Sequence, residues 1–128
     1  MVLVDSSVWV DYFHKGDHSG DLTTMIAQNY IYTNELILSE LIPVLKHRKE
    51  NEVITGLLSL PLFRLNIFWE GIRSLQILNL RHGINKVGIP DLIITQQCLE
   101  HGIELWTLDS HFKLISKHTS LKLYTNRK

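Results

Sequence analysis

The sequence predicts an α/β fold, with a mainly parallel sheet and helices on both faces. Three observations point to it. Short apolar runs of strand length occur at Val2–Asp5, Tyr30–Thr33, Phe63–Asn66, Glu104–Thr107 and Leu121–Tyr124. Longer segments with helical spacing separate them. The polar joins His14–Ser19 and Asn85–Gly88 are loops too short to be linkers, so the 128 residues are expected to form one domain, 1–128.

The helices are expected at Ser7–Phe13, Asp21–Gln28, Glu35–Arg48, Glu52–Leu60, Phe68–His82, Asp91–His101 and Ser110–Lys117. Phe68–His82 carries Ile72, Leu75, Leu78 and Leu80 with polar residues between, a helical period. Pro90 beside Asp91 makes a good helix start, and Gly102 a good stop. Pro43 inside Glu35–Arg48 should kink that helix or mark a local irregularity. Trp9, Tyr12 and Phe13 share helical spacing and should pack, in the core or at a subunit contact. Gly83 and Gly88 read as turn glycines, and no phosphate-loop motif is present.

Composition narrows the function. Thirteen basic residues balance thirteen acidic ones, which argues against a strongly basic, non-specific nucleic-acid binder. The single cysteine, Cys98, cannot form an internal disulfide; it reads as a buried core thiol in a reducing, cytoplasmic setting. Residues 1–10 lack the basic start of a signal peptide, and no apolar stretch is long enough to span a bilayer.

The chemistry is carried by four acids set against apolar sequence. Asp5 closes Val2-Leu3-Val4, and Asp109 follows Leu105-Trp106-Thr107-Leu108. Asp91 opens Leu92-Ile93-Ile94, and Glu40 lies within Leu36–Ile42. A carboxylate beside core sequence carries a desolvation cost unless something positive meets it. Asp5, Asp91 and Asp109 each have a competing explanation as helix-start residues. Glu40 has none: its same-face neighbours Leu36, Ile37, Pro43 and Val44 are all apolar, so it reads as a buried acid in need of a partner. Sites in parallel α/β sheets gather beyond the carboxyl ends of the strands, where Asp5 and Asp109 stand. Carboxylates with little imidazole or thiolate nearby favour a hard ion held by oxygen, Mg²⁺ or Mn²⁺. The matching chemistry is phosphoryl transfer, in which the ion polarises a phosphate oxygen and activates water. With four acids in such a site, thirteen basic residues face nine acidic ones elsewhere, which permits a basic rim. Ser7 or Thr107 could orient a ligand, a water or the substrate. His14 and His18 have i, i+4 spacing but flank Gly16 in a loop-like stretch and read as solvated. His47-Arg48-Lys49 reads as a solvated helix end.

This ordered set resembles the PIN domain, and more closely the VapC-type toxin ribonucleases, over nearly the whole chain. The resemblance rests on Val2-Leu3-Val4-Asp5-Ser6-Ser7, on Ser39-Glu40-Leu41, on Ile89-Pro90-Asp91-Leu92-Ile93-Ile94, and on Thr107-Leu108-Asp109-Ser110-His111-Phe112. It implies a three-layer α/β/α fold. It implies that Asp5, Glu40, Asp91 and Asp109 line one metal-dependent site that cleaves RNA internally. It also implies a homodimer and a small antitoxin partner that blocks the groove. Some relatives carry an extra acid where this chain has His111, which bears on the occupancy of a second metal position. The alternatives are a PIN-domain RNA processing or decay nuclease with no antitoxin, a receiver-type phosphoacceptor domain, and an inactive domain kept for binding. A receiver would need an acid at the end of the third strand candidate and a late Lys at a strand end, and this chain offers neither.

Overall fold

A computed structural model of the chain describes residues 1–16 and 19–125; His18 lies outside them. Among the described residues three strands form one parallel sheet: β1 (Val2–Val4), β2 (Ile31–Tyr32) and β3 (Glu104–Trp106). Their order is β2-β1-β3, with Val2 opposite both Ile31 and Glu104. The helices are α1 (Ser6–Phe13), α2 (Ser19–Ala27), α3 (Glu35–His47), α4 (Asn51–Leu58), α5 (Trp69–Arg81), α6 (Ile89–His101) and α7 (Ser110–Ser116). The α/β class with a parallel sheet is therefore as expected, and each predicted helix is present with its ends within two residues or so.

Two predicted strands are not formed as such. Phe63–Asn66 has no strand pairing, the nearest being one parallel bridge just before it, Thr33 with Leu62, and Leu121–Tyr124 keeps a single bridge, Leu105 with Leu123. At the first edge Thr33 N donates to the Pro61 carbonyl and Phe63 N to the Thr33 carbonyl. Pro61 has no N–H to offer a ladder, which suits a sheet edge and discourages its extension. β1 is central and wholly buried, as a strand covered on both faces must be.

The core runs through Leu3, Val4, Val8, Ile37, Leu92, Ile94, Leu105 and Phe112. Trp9 joins it, with Tyr12 edge-on and Phe13 stacked on its ring, so the aromatic trio packs as expected. Cys98 is buried, and burial pushes its thiol up to about 12. Gly102 ends α6 in the left-handed region, φ 61°, which Gly adopts without strain. Gly83 also takes positive φ, whereas Gly88 does not and instead caps α6. No helix among the described residues is long and apolar enough to cross a membrane.

α3 is the helix that positions Glu40. It runs as one helix through Pro43, from Glu35 to His47. Proline removes the bond to the Ser39 carbonyl, but Ser39 and Pro43 are both exposed and water can satisfy that group. The helix start is fixed from inside the protein. Asn34, fully buried, accepts a bond from Ile37 N and donates to Gln97 of α6 at 2.7 Å.

Candidate metal centre

The site is built at the carboxyl end of the sheet, on the seam between β1 and β3. After β1 the chain goes outward to β2, and after β3 it goes outward the other way to the Leu105–Leu123 bridge, which makes the seam a topological switch point. β1 delivers Asp5, and β3 delivers Thr107 and then Asp109. α3 brings Glu40 from the side of β2, and the first turn of α6 brings Asp91.

Asp5 is 5% exposed and does not cap α1, although it stands at the N-cap position. Its carboxylate is held by hydroxyls instead. Ser7 Oγ donates to Oδ2 at 2.8 Å and Thr107 Oγ1 to the same oxygen at 2.9 Å. Each hydroxyl is itself held by the loop after β3: Leu108 N donates to Ser7 Oγ at 2.9 Å, across to the end of β1, and Asp109 N to Thr107 Oγ1 at 3.0 Å within that loop. Oδ1 receives only a long contact from Ser6 Oγ, 3.5 Å, and is the oxygen left for another partner. Ser7 and Thr107 thus orient the carboxylate of Asp5. With their hydroxyl protons directed to Asp5, they are not donors to a substrate in this arrangement.

Asp109 is a helix cap and still has a second contact on its carboxylate. It caps α7 through His111 N, which donates to Oδ1 at 2.9 Å, and its carboxylate also lies 3.2 Å from His111 Nδ1. The ligand atoms of Asp91, Asp109 and His111 all fall within 4.8 Å of one another. Asp91 is half-buried, and the α6 cap position belongs to Gly88. Burial, and then the charges of Asp109 and Asp5, lift the Asp91 carboxyl from its ordinary 3.8 to about 6, with His111 acting in the opposite direction.

Glu40 departs from its expected burial. Its side chain is exposed, because the inward stripe of α3 is Ile37, Leu38, Leu41 and Leu45. The apolar neighbours that suggested a core position do not all face the core: Val44 is 50% exposed. Val44, Leu41 and Leu45 share with Val10, Phe13 and Glu40 a surface cleft of about 410 Å³. Arg48 lies on the wall of the same cleft. The Glu40 carboxyl is still raised, first by partial desolvation at the cleft wall and then by Asp5 and Asp91. Those couplings bring Glu40 into the field of the other acids.

Asp5 and Asp91 thus act on Glu40, and Asp109 and Asp5 on Asp91. Among the described residues no Lys or Arg forms an ion pair with any of them. Neighbouring oxygen donors, two of them with raised pKa and none paired with a Lys or Arg, fit a bound divalent cation. His111 is the member that sequence reasoning left out of the set. Its signal is its place two residues after Asp109, in the first turn of α7.

The model of the PIN domain family matches residues 2–118, and the chain belongs to that family. No curated protein matches the chain significantly in sequence. Several solved structures share its fold. A chain of the DNA-bound VapBC from Salmonella typhimurium is 15% identical, with TM-score 0.75 and 96% of each chain covered. VapBC2 from Rickettsia felis, bound to a promoter DNA fragment, is 17% identical, with TM-score 0.75, covering 97% of this chain and 98% of that one. Mycobacterium tuberculosis VapC20, a sarcin-ricin loop cleaving toxin, is 14% identical, with TM-score 0.61, covering 89% of this chain and 94% of that one.

Proposed function

We propose that this protein is a Mg²⁺- or Mn²⁺-dependent endoribonuclease, the toxin of a type II toxin–antitoxin pair. The observation that carries the reading is the grouping of Asp91 and Asp109, whose ligand atoms lie within 4.8 Å, with Asp5 and Glu40 near enough to interact electrostatically and, among the described residues, no Lys or Arg paired with any of the four. The fold relatives are consistent with it: they include VapBC complexes and a toxin that cleaves the sarcin-ricin loop.

In this reading Asp5, Asp91 and Asp109 hold the cation, and Glu40 reaches it directly or through water. A divalent cation held there supplies a Lewis acid that polarises a phosphate oxygen and lowers the pKa of water. Ser7 and Thr107 keep Asp5 in one orientation through Oδ2, which leaves Oδ1 for the cation. Glu40, raised in pKa and open to solvent, is suited to take the proton of the attacking water as the P–O bond to the leaving oxygen breaks. Single-stranded or looped RNA is the favoured substrate, because its bases can be splayed out and read.

The apolar cleft beside Glu40 supports the partner. An antitoxin segment with apolar side chains could occupy it and cover the acids from one side. A homodimer and a cytoplasmic location complete the proposal. The test is RNA cleavage by the purified protein with Mg²⁺, Mn²⁺ or EDTA, with Asp5→Asn and Asp109→Asn beside it. Cleavage that survives chelation, or survives both substitutions, would sink the metal mechanism. A neighbouring open reading frame for a small DNA-binding protein would favour the toxin over a PIN-domain processing nuclease.

A further inference from the structure

His111 differs in chemistry from the acids around it. Its ring sits at the start of α7, with Nδ1 3.2 Å from Asp109 Oδ1, and its backbone N–H is tied to the same oxygen. That tether fixes the residue relative to the carboxylate. The ring and the Asp109 carboxylate are each 36% exposed on the side chain, so both can be reached from solvent. The ligand atoms of Asp91, Asp109 and His111 are close enough together to converge on one ion.

We propose that His111 is a nitrogen ligand of this centre, making it a mixed oxygen–nitrogen site that selects Mn²⁺ and similar transition cations over Mg²⁺. The proposal rests on the metal-dependent reading above and specifies which ion the site prefers. Mg²⁺ is hard, keeps much of its water and prefers carboxylate oxygen. Imidazole binds first-row transition ions and offers Mg²⁺ little. A neutral ring also adds no negative charge to attract cations indiscriminately, so its contribution falls mainly on the choice between them. The competing role for His111 is positional: the ring could merely steady Asp109 through the Nδ1 contact. In that case removing the ring weakens all cations alike.

The two roles separate in one experiment on the full chain, free of any histidine tag. Bound Mn²⁺ is followed by electron paramagnetic resonance, Mg²⁺ is titrated as competitor, and pulsed spectra are searched for ¹⁴N coupling. Wild type is compared with His111→Asp, which restores an all-oxygen set, and with His111→Asn, which keeps a donor toward Asp109. Circular dichroism checks that each variant is folded. The expected result is ¹⁴N coupling in the wild type, its loss in both variants, and a fall of about tenfold in the Mn²⁺-over-Mg²⁺ preference in His111→Asp. Bound Mn²⁺ without nitrogen coupling, or equal loss of both cations in the variants, overturns the ligand role and leaves the metal centre standing. Failure of the wild type to bind Mn²⁺, or binding unchanged by Asp5→Asn and Asp91→Asn together, overturns the metal centre itself.

Discussion

Thr107 Oγ1 donates to Asp5 Oδ2 at 2.9 Å across 102 residues of sequence. With Ser7 it holds one oxygen of the central carboxylate and locks the end of β1 to the loop after β3. The supporting groups of a metal ligand commonly set affinity and rate by 10–100-fold. Thr107→Val and Ser7→Ala are each expected to lower cleavage by about that factor, and to lower stability by about 1 kcal/mol through the lost hydrogen bond. The double variant should lose less than the sum of the two, because both hydroxyls serve one oxygen. Single-turnover cleavage and urea unfolding measure the two effects.

Asp5→Asn should keep the fold and lower cleavage by about a hundredfold or more, beyond the effect of either supporting hydroxyl. The amide is nearly isosteric and adds no charge to a site crowded with acids. Without metal its melting temperature is expected to equal or exceed the wild-type value, since one carboxylate fewer repels Asp91 and Glu40. A differential scanning melt of the metal-free proteins reads this directly.

Asp91 predicts the pH dependence. Its carboxyl is raised from 3.8 to about 6, so the proton binds the folded protein more tightly than the unfolded chain. The resulting stabilisation is fully present below about pH 3.8 and is lost as pH rises through about 6. Metal binding runs the other way, because the cation needs the ionised form. Below about pH 6 the affinity for Mn²⁺ should fall by about tenfold per unit from this group alone. Melting curves with and without Mn²⁺ between pH 5 and 8 should therefore converge toward the acid end. A metal-induced shift that stays constant over that range would contradict the assignment of Asp91.

Asn34→Ala tests how the helix bearing Glu40 is held. The substitution removes the cap of α3 and leaves the buried Gln97 amide without its 2.7 Å partner. The expected loss is about 2–3 kcal/mol by urea unfolding, the sum of a cap and a stranded polar group. A loss below about 0.5 kcal/mol would show that Gln97 finds another partner.

The part of the site that follows from local chemistry was legible in the sequence. Asp5 and Asp109 end apolar runs and begin helices, and Asp91 follows Pro90; residue type and neighbours locate each one. The helices were legible for the same reason, since caps and period are local. The exposure of Glu40 was not, because an apolar stripe that lines a surface cleft has the same spacing as one that faces the core. The bonding of Ser7 and Thr107 was not either: their partner is set by the β1–β3 register, which joins residues about a hundred positions apart. His111 was passed over as a ligand because its value depends on Asp91, which only the folded chain brings beside it. Phe63–Asn66 and Leu121–Tyr124 have strand composition without strands, because the fold gives the first no pairing beyond the bridge at Leu62 and the second just one bridge.

Those single bridges, Thr33 with Leu62 and Leu105 with Leu123, also bear on how other chains can engage this protein. A long open edge is a template on which a foreign strand can zip up its main chain. Among the described residues each flank offers little more than one rung, and Pro61 withholds a donor at one of them. Association by strand addition has almost no ladder to extend. Recognition of this domain is left to side chains presented by its helices, which favours partners chosen by shape and residue type over indiscriminate main-chain pairing.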